Sequence, residues 1–214
     1  MSIARDGLYA FAARSLQRPI SDLRNWMIAR KLGVKQIRIG PGANLRGLSC
    51  VQMGENFLAL EGLWLEAITR YSDQHFLPRI VIGDRVQASQ WVHIAATHYV
   101  EIGDDVLIGS KVMITDHNHG QYSAEHTPPR IPPAMRPLDR DRSTIIGRNV
   151  WLGDGVVVAP GSCVGEGCVV GANSVVTGNI PAGSICAGVP AKVIKTYDEQ
   201  DQRWHRVRDR EFQR

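Results

Sequence analysis

A chain of 214 residues has room for one full domain with appendages, and 43% apolar but only 7% aromatic residues call for a core of small aliphatic side chains. The net charge of +4 and pI near 9.0 come largely from the chain ends and match no nucleic-acid motif, so no nucleic-acid partner is expected. Four scattered cysteines without a CxxC pair read as packing thiols in a reducing compartment, and no apolar run approaches the ~20 residues that span a bilayer, so the expected location is cytoplasmic without a signal peptide.

Residues 1–35 form the first segment. Leu8, Phe11, Leu16, Leu23, Trp26, Met27 and Leu32 recur at helical spacing among Arg14, Arg18, Arg24 and Arg30, which predicts one or two amphipathic helices with a break at Pro19–Asp22. Their apolar stripe is expected to pack on the rest of the protein or a neighbouring subunit, with peripheral membrane contact as a weaker reading.

Residues 36–196 carry a six-residue period. From Ile102 the blocks read IGDDVL, IGSKVM and IT; they resume at Ile146 as IGRNVW, LGDGVV, VAPGSC, VGEGCV, VGANSV and VTGNIP. Fainter copies begin at Ile39, Met53 and Ile82. An aliphatic residue at position one and a small or branched one at position five point the same way from a short extended segment, and the Gly at position two is expected to supply a turn. Three such segments close a triangular coil, and stacked coils can pair every backbone group with the coil above and below.

One long stretch breaks the register, roughly residues 115–144, and holds His117, His119 and His126 among several prolines. Loops of that length without periodic structure are usually functional or disordered, and the histidines gathered where this one leaves the coil favour function. Beyond it, residues 197–214 are polar and Arg-rich and read as a short C-terminal helix, a solvated tail rather than a lipid- or phosphate-binding one.

The stretch VEIGDDVLIGSKVMITDHNHG, the loop, and the run from IIGRNVW to AGVPAKVIK together resemble the hexapeptide-repeat acyltransferases. The likeness is to the galactoside and maltose O-acetyltransferase branch with its polysaccharide- and lipopolysaccharide-modifying relatives. The resemblance implies an all-β fold, a left-handed parallel β-helix, with acetyl-CoA as co-substrate, a saccharide acceptor, no metal, and a homotrimer with active sites between subunits. It places the catalytic histidine at His117, a general base for a sugar hydroxyl. His119 is the alternative base, and Asp116 and Glu125 are candidate orienting carboxylates. Asp116, His119, Ser89 and His93 are assigned to the acceptor side. In that branch an asparagine stands where this chain has Ser89, which leaves the acceptor open. Asp154, Ala172, Thr177 and Gly178 are expected to flank the pantetheine arm, Lys192 and Lys195 to meet the CoA phosphates, and Trp151 to wall the acyl cleft.

Three rival readings remain at this stage. A γ-type carbonic anhydrase shares the fold and would bind zinc through His93, His98 and His117. An N-acetyltransferase would act on a nucleotide-linked amino sugar. A non-catalytic β-helix would bind no acetyl-CoA.

Overall fold

The computed structural model describes residues 21–122, 127–139 and 142–207. The repeat region winds into coils of three strands. The first coil is Ile37–Ile39, Asn44–Arg46 and Val51–Met53, and the second is Phe57–Ala59, Trp64–Ala67 and Arg79–Ile82. Gln87–Ala88, His93–Ala96 and Tyr99–Ile102 make the third; Leu107–Ile108, Met113–Thr115 and Ser143–Ile146 make the fourth. Two more follow, ending at Asn179–Ile180. Equivalent strands pair in parallel, so each coil contributes one strand to each of three faces, and the architecture is the expected left-handed parallel β-helix.

The register stacks like on like. On the second face Leu65, Ile94, Ile114, Val158 and Val176 form one inward column, each fully buried. Aliphatic and β-branched side chains suit this pleated surface, and alternation sends their neighbours outward.

The position-two glycines have a different role from the one expected. They do not adopt left-handed φ; that conformation falls two residues later, at Arg85, Asp105, Asn149 and Asn173. Gly103 is required because a Cβ there would lie 2.6 Å from the backbone nitrogen of Arg148 in the coil above. Close coil-to-coil approach, not turn geometry, selects it.

Residues 21–32 are helical and end at Gly33, whose φ of 74° suits a helix C-cap. The helix closes the open end of the first coil. Arg24 donates to the carbonyls of Ile39 and Gly40, Asn25 accepts the Ile39 N–H at 3.4 Å, and Ala29 enters the core. Ile28 and Leu32 pack against it, whereas Leu23, Trp26 and Met27 face outward, each more than half exposed. The rest of the predicted helical segment, residues 1–20, lies outside the described residues.

The C-terminal helix is a correction. Ala191–Asp198 and Arg203–Arg206 are strands, the first antiparallel to Ser184–Gly188 of the last coil and the second antiparallel to the first. The last coil would otherwise present an unpaired edge, and this hairpin supplies its hydrogen-bond partners. The period-two burial of AKVIKTYD, with Ala191, Val193, Lys195 and Tyr197 on one side, is a strand signal. Residues 208–214 lie outside the described residues.

Two substitutions test this account. Ile114→Ala should lower the unfolding free energy by about 2–5 kcal/mol through a core cavity. Gly103→Ala should cost about 1–3 kcal/mol by overpacking, although its φ is one alanine accepts. Equilibrium urea denaturation measures both; a neutral or stabilised Gly103→Ala would refute the close-approach explanation.

Candidate active site

The corner between the second and third faces carries every large departure from the coil. The second coil leaves there over residues 68–78, the third makes a tight turn at Thr97–His98, and the fourth leaves over residues 116–142. At the root of the longest excursion sits Asp116, with no exposed surface. Its carboxylate accepts backbone N–H groups from Thr97 (2.9 Å), His98 (2.8 Å) and Tyr99 (2.8 Å) of the coil below, and the Thr97 hydroxyl at 3.3 Å. Burial alone would raise the Asp116 pKa, but the His117 bond and the Thr97 and His98 amides outweigh it and hold the carboxyl below its ordinary value of 3.8.

A fifth partner is His117, whose Nδ1 lies 2.8 Å from Asp116 Oδ1. A carboxylate can only accept, so Nδ1 carries the proton and donates it. Nε2 of a neutral ring is thereby left with its lone pair, and the imidazole side chain is 11% exposed. Thr115 lies within 3.2 Å of the same Nδ1, and the returning strand is tied to the departing one by Thr144 Oγ1 donating to the Thr115 carbonyl at 2.9 Å.

His93 stands on the outward side of the second face, stacked on Trp64 with ring centroids 4.3 Å apart. Burial pushes its pKa down, Glu66 raises it, and His117 adds a further lowering, so the two imidazoles share one electrostatic neighbourhood. His93 Nε2 is buried and meets no hydrogen-bond partner among the described residues. Such an atom is costly unless something else satisfies it. His119 is exposed and contacts Tyr71, at 3.2 Å from Nδ1 to the phenolic oxygen. His126 and Glu125 lie outside the described residues.

The remaining expected residues fall elsewhere. Ser89, Asp154 and Ala172 occupy the corner between the first and second faces, where Asp154 accepts the Ser110 N–H at 2.6 Å. Asp84 and Asp104 make the same kind of bond, to Glu55 and Asp84 N–H, so the Asp154 carboxylate serves coil stacking. Thr177 and Gly178 sit at the His117 corner two coils farther on, and a Cβ built on Gly178 meets nothing within 4 Å. Trp151 is 51% exposed on the first face between Leu107 and Val169. Lys192 is exposed and Lys195 half-buried on the terminal hairpin.

One protomer therefore gathers Asp116, His117, His119 and His93 but not Ser89, Asp154 or Lys192. Ala172 and Thr177 are exposed, and they lie at two different corners of the last full coil. Within one protomer, and among the described residues, the ligand atoms of His93, His98 and His117 do not form a group within 4.8 Å of one another. Sequence reasoning missed Trp64, Tyr71, Gln74 and Asp139. The signal for the middle two was the off-register stretch between Leu65 and Ile80.

Residues 143–178 match the bacterial transferase hexapeptide (six repeats) family model. The chain belongs to the hexapeptide-repeat acetyltransferases. It is 46% identical over 165 residues to the putative lipopolysaccharide biosynthesis O-acetyl transferase WbbJ of Escherichia coli K12, covering 76% of this chain and 80% of the relative. It is 31% identical over 150 residues to the galactoside O-acetyltransferase of the same organism, covering 68% and 66%. In fold it resembles the N-acyltransferase AntD of Bacillus cereus in complex with dTDP and 3-hydroxybutyryl-CoA, with a TM-score of 0.61 at 19% identity over 78% of this chain and 84% of that one. A Vibrio cholerae hexapeptide-repeat acetyltransferase complexed with acetyl-CoA matches with a TM-score of 0.53 at 22% identity, over 92% and 91%.

The depressed Asp116 pKa has a defined consequence. Its folded value lies below the ordinary 3.8, so its contribution to stability is present above that pH and is lost as pH falls through the folded value. Urea denaturation at pH 6 and below pH 3.8 should show a pH-dependent loss in the unaltered protein that is smaller in Asp116→Asn, the variant being weaker at pH 6. Equal pH dependence in both proteins would refute the assignment.

Proposed function

We propose that this acetyltransferase transfers acetyl from acetyl-CoA to a saccharide hydroxyl in cell-envelope polysaccharide or lipopolysaccharide biosynthesis, with His117 as general base. The observation that carries the mechanism is the Asp116–His117 bond, which spends the Nδ1 proton and leaves Nε2 free to accept. Nε2 takes the proton of the sugar hydroxyl as its oxygen attacks the thioester carbonyl. The C–S bond then breaks, and the imidazolium returns the proton to the departing thiolate, giving the acetyl ester and free CoA thiol. Both substrates bind together, so no acyl-enzyme forms.

The acceptor class rests on the likeness to WbbJ and the galactoside O-acetyltransferase, whose names describe lipopolysaccharide and galactoside O-acetylation. His93 and His119 flank the base on the acceptor side. Ala172, Thr177 and Gly178 line the path of the acetyl-CoA arm, with Lys192 and Lys195 toward its phosphates and Trp151 beside the acyl cleft. His117 and His119 stand at one corner and Ser89, Asp154 and Ala172 at another, which supports a homotrimer with the complete site between neighbouring subunits.

Free CoA thiol release measured with a panel of saccharides tests the reading. The unaltered protein should show acceptor-dependent release, and His117→Ala should lower kcat by about 10²–10⁴-fold while still binding acetyl-CoA. Undiminished release by His117→Ala, or release dependent only on an amino sugar, would overturn it.

A further inference from the structure

The two excursions at the catalytic corner grip each other, and nothing in the coil's architecture requires them to. The long one closes on itself first. Asn118 N–H donates to the Asp139 carboxylate, Asp139 N–H donates to the Asn118 carbonyl at 3.0 Å, and Gly120 N–H to the Pro137 carbonyl at 2.7 Å. Asp139 is 3% exposed and Leu138 2%, so this root is interior even though the loop tip is not. The base of the loop is thus a short two-stranded ladder beginning one residue after His117.

The shorter excursion supplies a third edge to that ladder. Arg70–Tyr71 and Gln74–His75 pair as an antiparallel hairpin that projects past the tight Thr97–His98 turn. The Gln74 side-chain amide then behaves as a peptide group would. Its Oε1 accepts the Leu138 N–H at 2.7 Å and its Nε2 donates to the Leu138 carbonyl at 3.1 Å. Tyr71 completes the contact from the same hairpin, its hydroxyl donating to the Ala134 carbonyl at 2.6 Å. A phenol has one proton, so the Tyr71 oxygen can meet His119 Nδ1, 3.2 Å away, only as an acceptor. His119 Nδ1 therefore carries a proton, and Nε2 of the neutral ring presents a lone pair, the same polarity that Asp116 imposes on His117.

We propose that the hairpin at residues 70–75 is a clamp for the acceptor loop, in which Gln74 and Tyr71 are positioning residues. The clamp fixes the loop root beside His117 and holds His119 Nε2 as a hydrogen-bond acceptor for a second hydroxyl of the saccharide. The inference rests on the sugar O-acetyltransferase reading and adds to it that the acceptor must present two hydroxyls to this corner, one to each imidazole. Side chains held by a second shell of hydrogen bonds keep reacting groups in register, and small displacements of such groups cost rate steeply.

The test compares the unaltered protein with Gln74→Leu, which keeps volume and removes both amide bonds, and Tyr71→Phe, which keeps the ring and removes only the hydroxyl. Steady-state CoA release would be measured against acceptor and acetyl-CoA separately, and amide hydrogen exchange followed over residues 134–139. The expected result is faster exchange at Leu138 in Gln74→Leu and kcat/KM for the saccharide lowered about 10–100-fold in both variants. KM for acetyl-CoA should stay unchanged and the melting temperature close to the original. Faster exchange without any change in acceptor kinetics would overturn the positioning role while leaving the parent reading intact, as would unchanged exchange in Gln74→Leu. Parallel rises in both KM values with a large fall in melting temperature would mean a purely structural hairpin. Absence of transfer by the unaltered protein to every saccharide would overturn the parent reading, and the clamp's acceptor role with it.

Discussion

No coil of this protein can satisfy its own backbone. The N–H of Leu107 reaches the Val150 carbonyl of the next coil at 2.9 Å, the Trp151 N–H reaches Cys168 at 2.9 Å, and the same step recurs along every face. That ladder fixes register absolutely, since a slip of one residue would turn an inward column such as Leu65, Ile94, Ile114, Val158 and Val176 toward solvent. Extra chain is therefore tolerated only at a corner. Both large excursions use the same corner, which makes it the one place where the fold can hold varied chemistry on a rigid base.

The placement of Asp116 and His117, the proposed catalytic pair, follows from the same constraint. In ordinary coils the N–H groups of a lower corner donate to carbonyls above, as Ile68 does to Ala96 and Arg79 to His98. Above Thr97, His98 and Tyr99 the chain departs, and those carbonyls are not there. The Asp116 carboxylate stands in for them, taking all three N–H groups. A buried carboxylate held by backbone amides stays ionised at little further cost. Its neighbour His117 then finds a fixed anion for Nδ1. The orientation of the imidazole is in this sense a by-product of closing the coil where the loop leaves it.

The core was largely legible because the period is a direct image of coil geometry: Ile102, Ile146 and Val164 at position one are all buried. The site was legible only in part. His117 was singled out by the family resemblance, at the place where the register stops, and Asp116 as its adjacent carboxylate, but the three amides that Asp116 accepts come from a coil nineteen to seventeen residues earlier and leave no local pattern. Gln74 and Trp64 act through spatial neighbours 64 and 29 residues away respectively, Leu138 and His93. The terminal hairpin was misread for another reason. The charged residues of DEQDQRWHRVRDREF suit a helix surface, while the requirement that decides the matter, an unpaired edge on Ser184–Gly188, belongs to the fold as a whole.

Rigidity also limits what one protomer can do alone. A flexible fold could bend Ser89, Asp154 and Ala172 toward His117, but here each corner is locked to its neighbours, Asn173 N–H donating to the Asp154 carbonyl and Ser110 N–H to the Asp154 carboxylate. The corner between the first and second faces cannot approach the His117 corner without breaking several coils at once. If both corners serve one reaction, as the proposed function requires, the second must come from another copy of the chain laid against the outer face of the β-helix. Trp64, Trp91, Leu107, Met113 and Trp151 are exposed on the outside of these same coils, which is the apolar surface that the proposed assembly would cover. Under the proposed function, His93, with its ring stacked on Trp64 and a buried nitrogen unmatched among the described residues, stands on the face that a neighbour and an acceptor would jointly enclose.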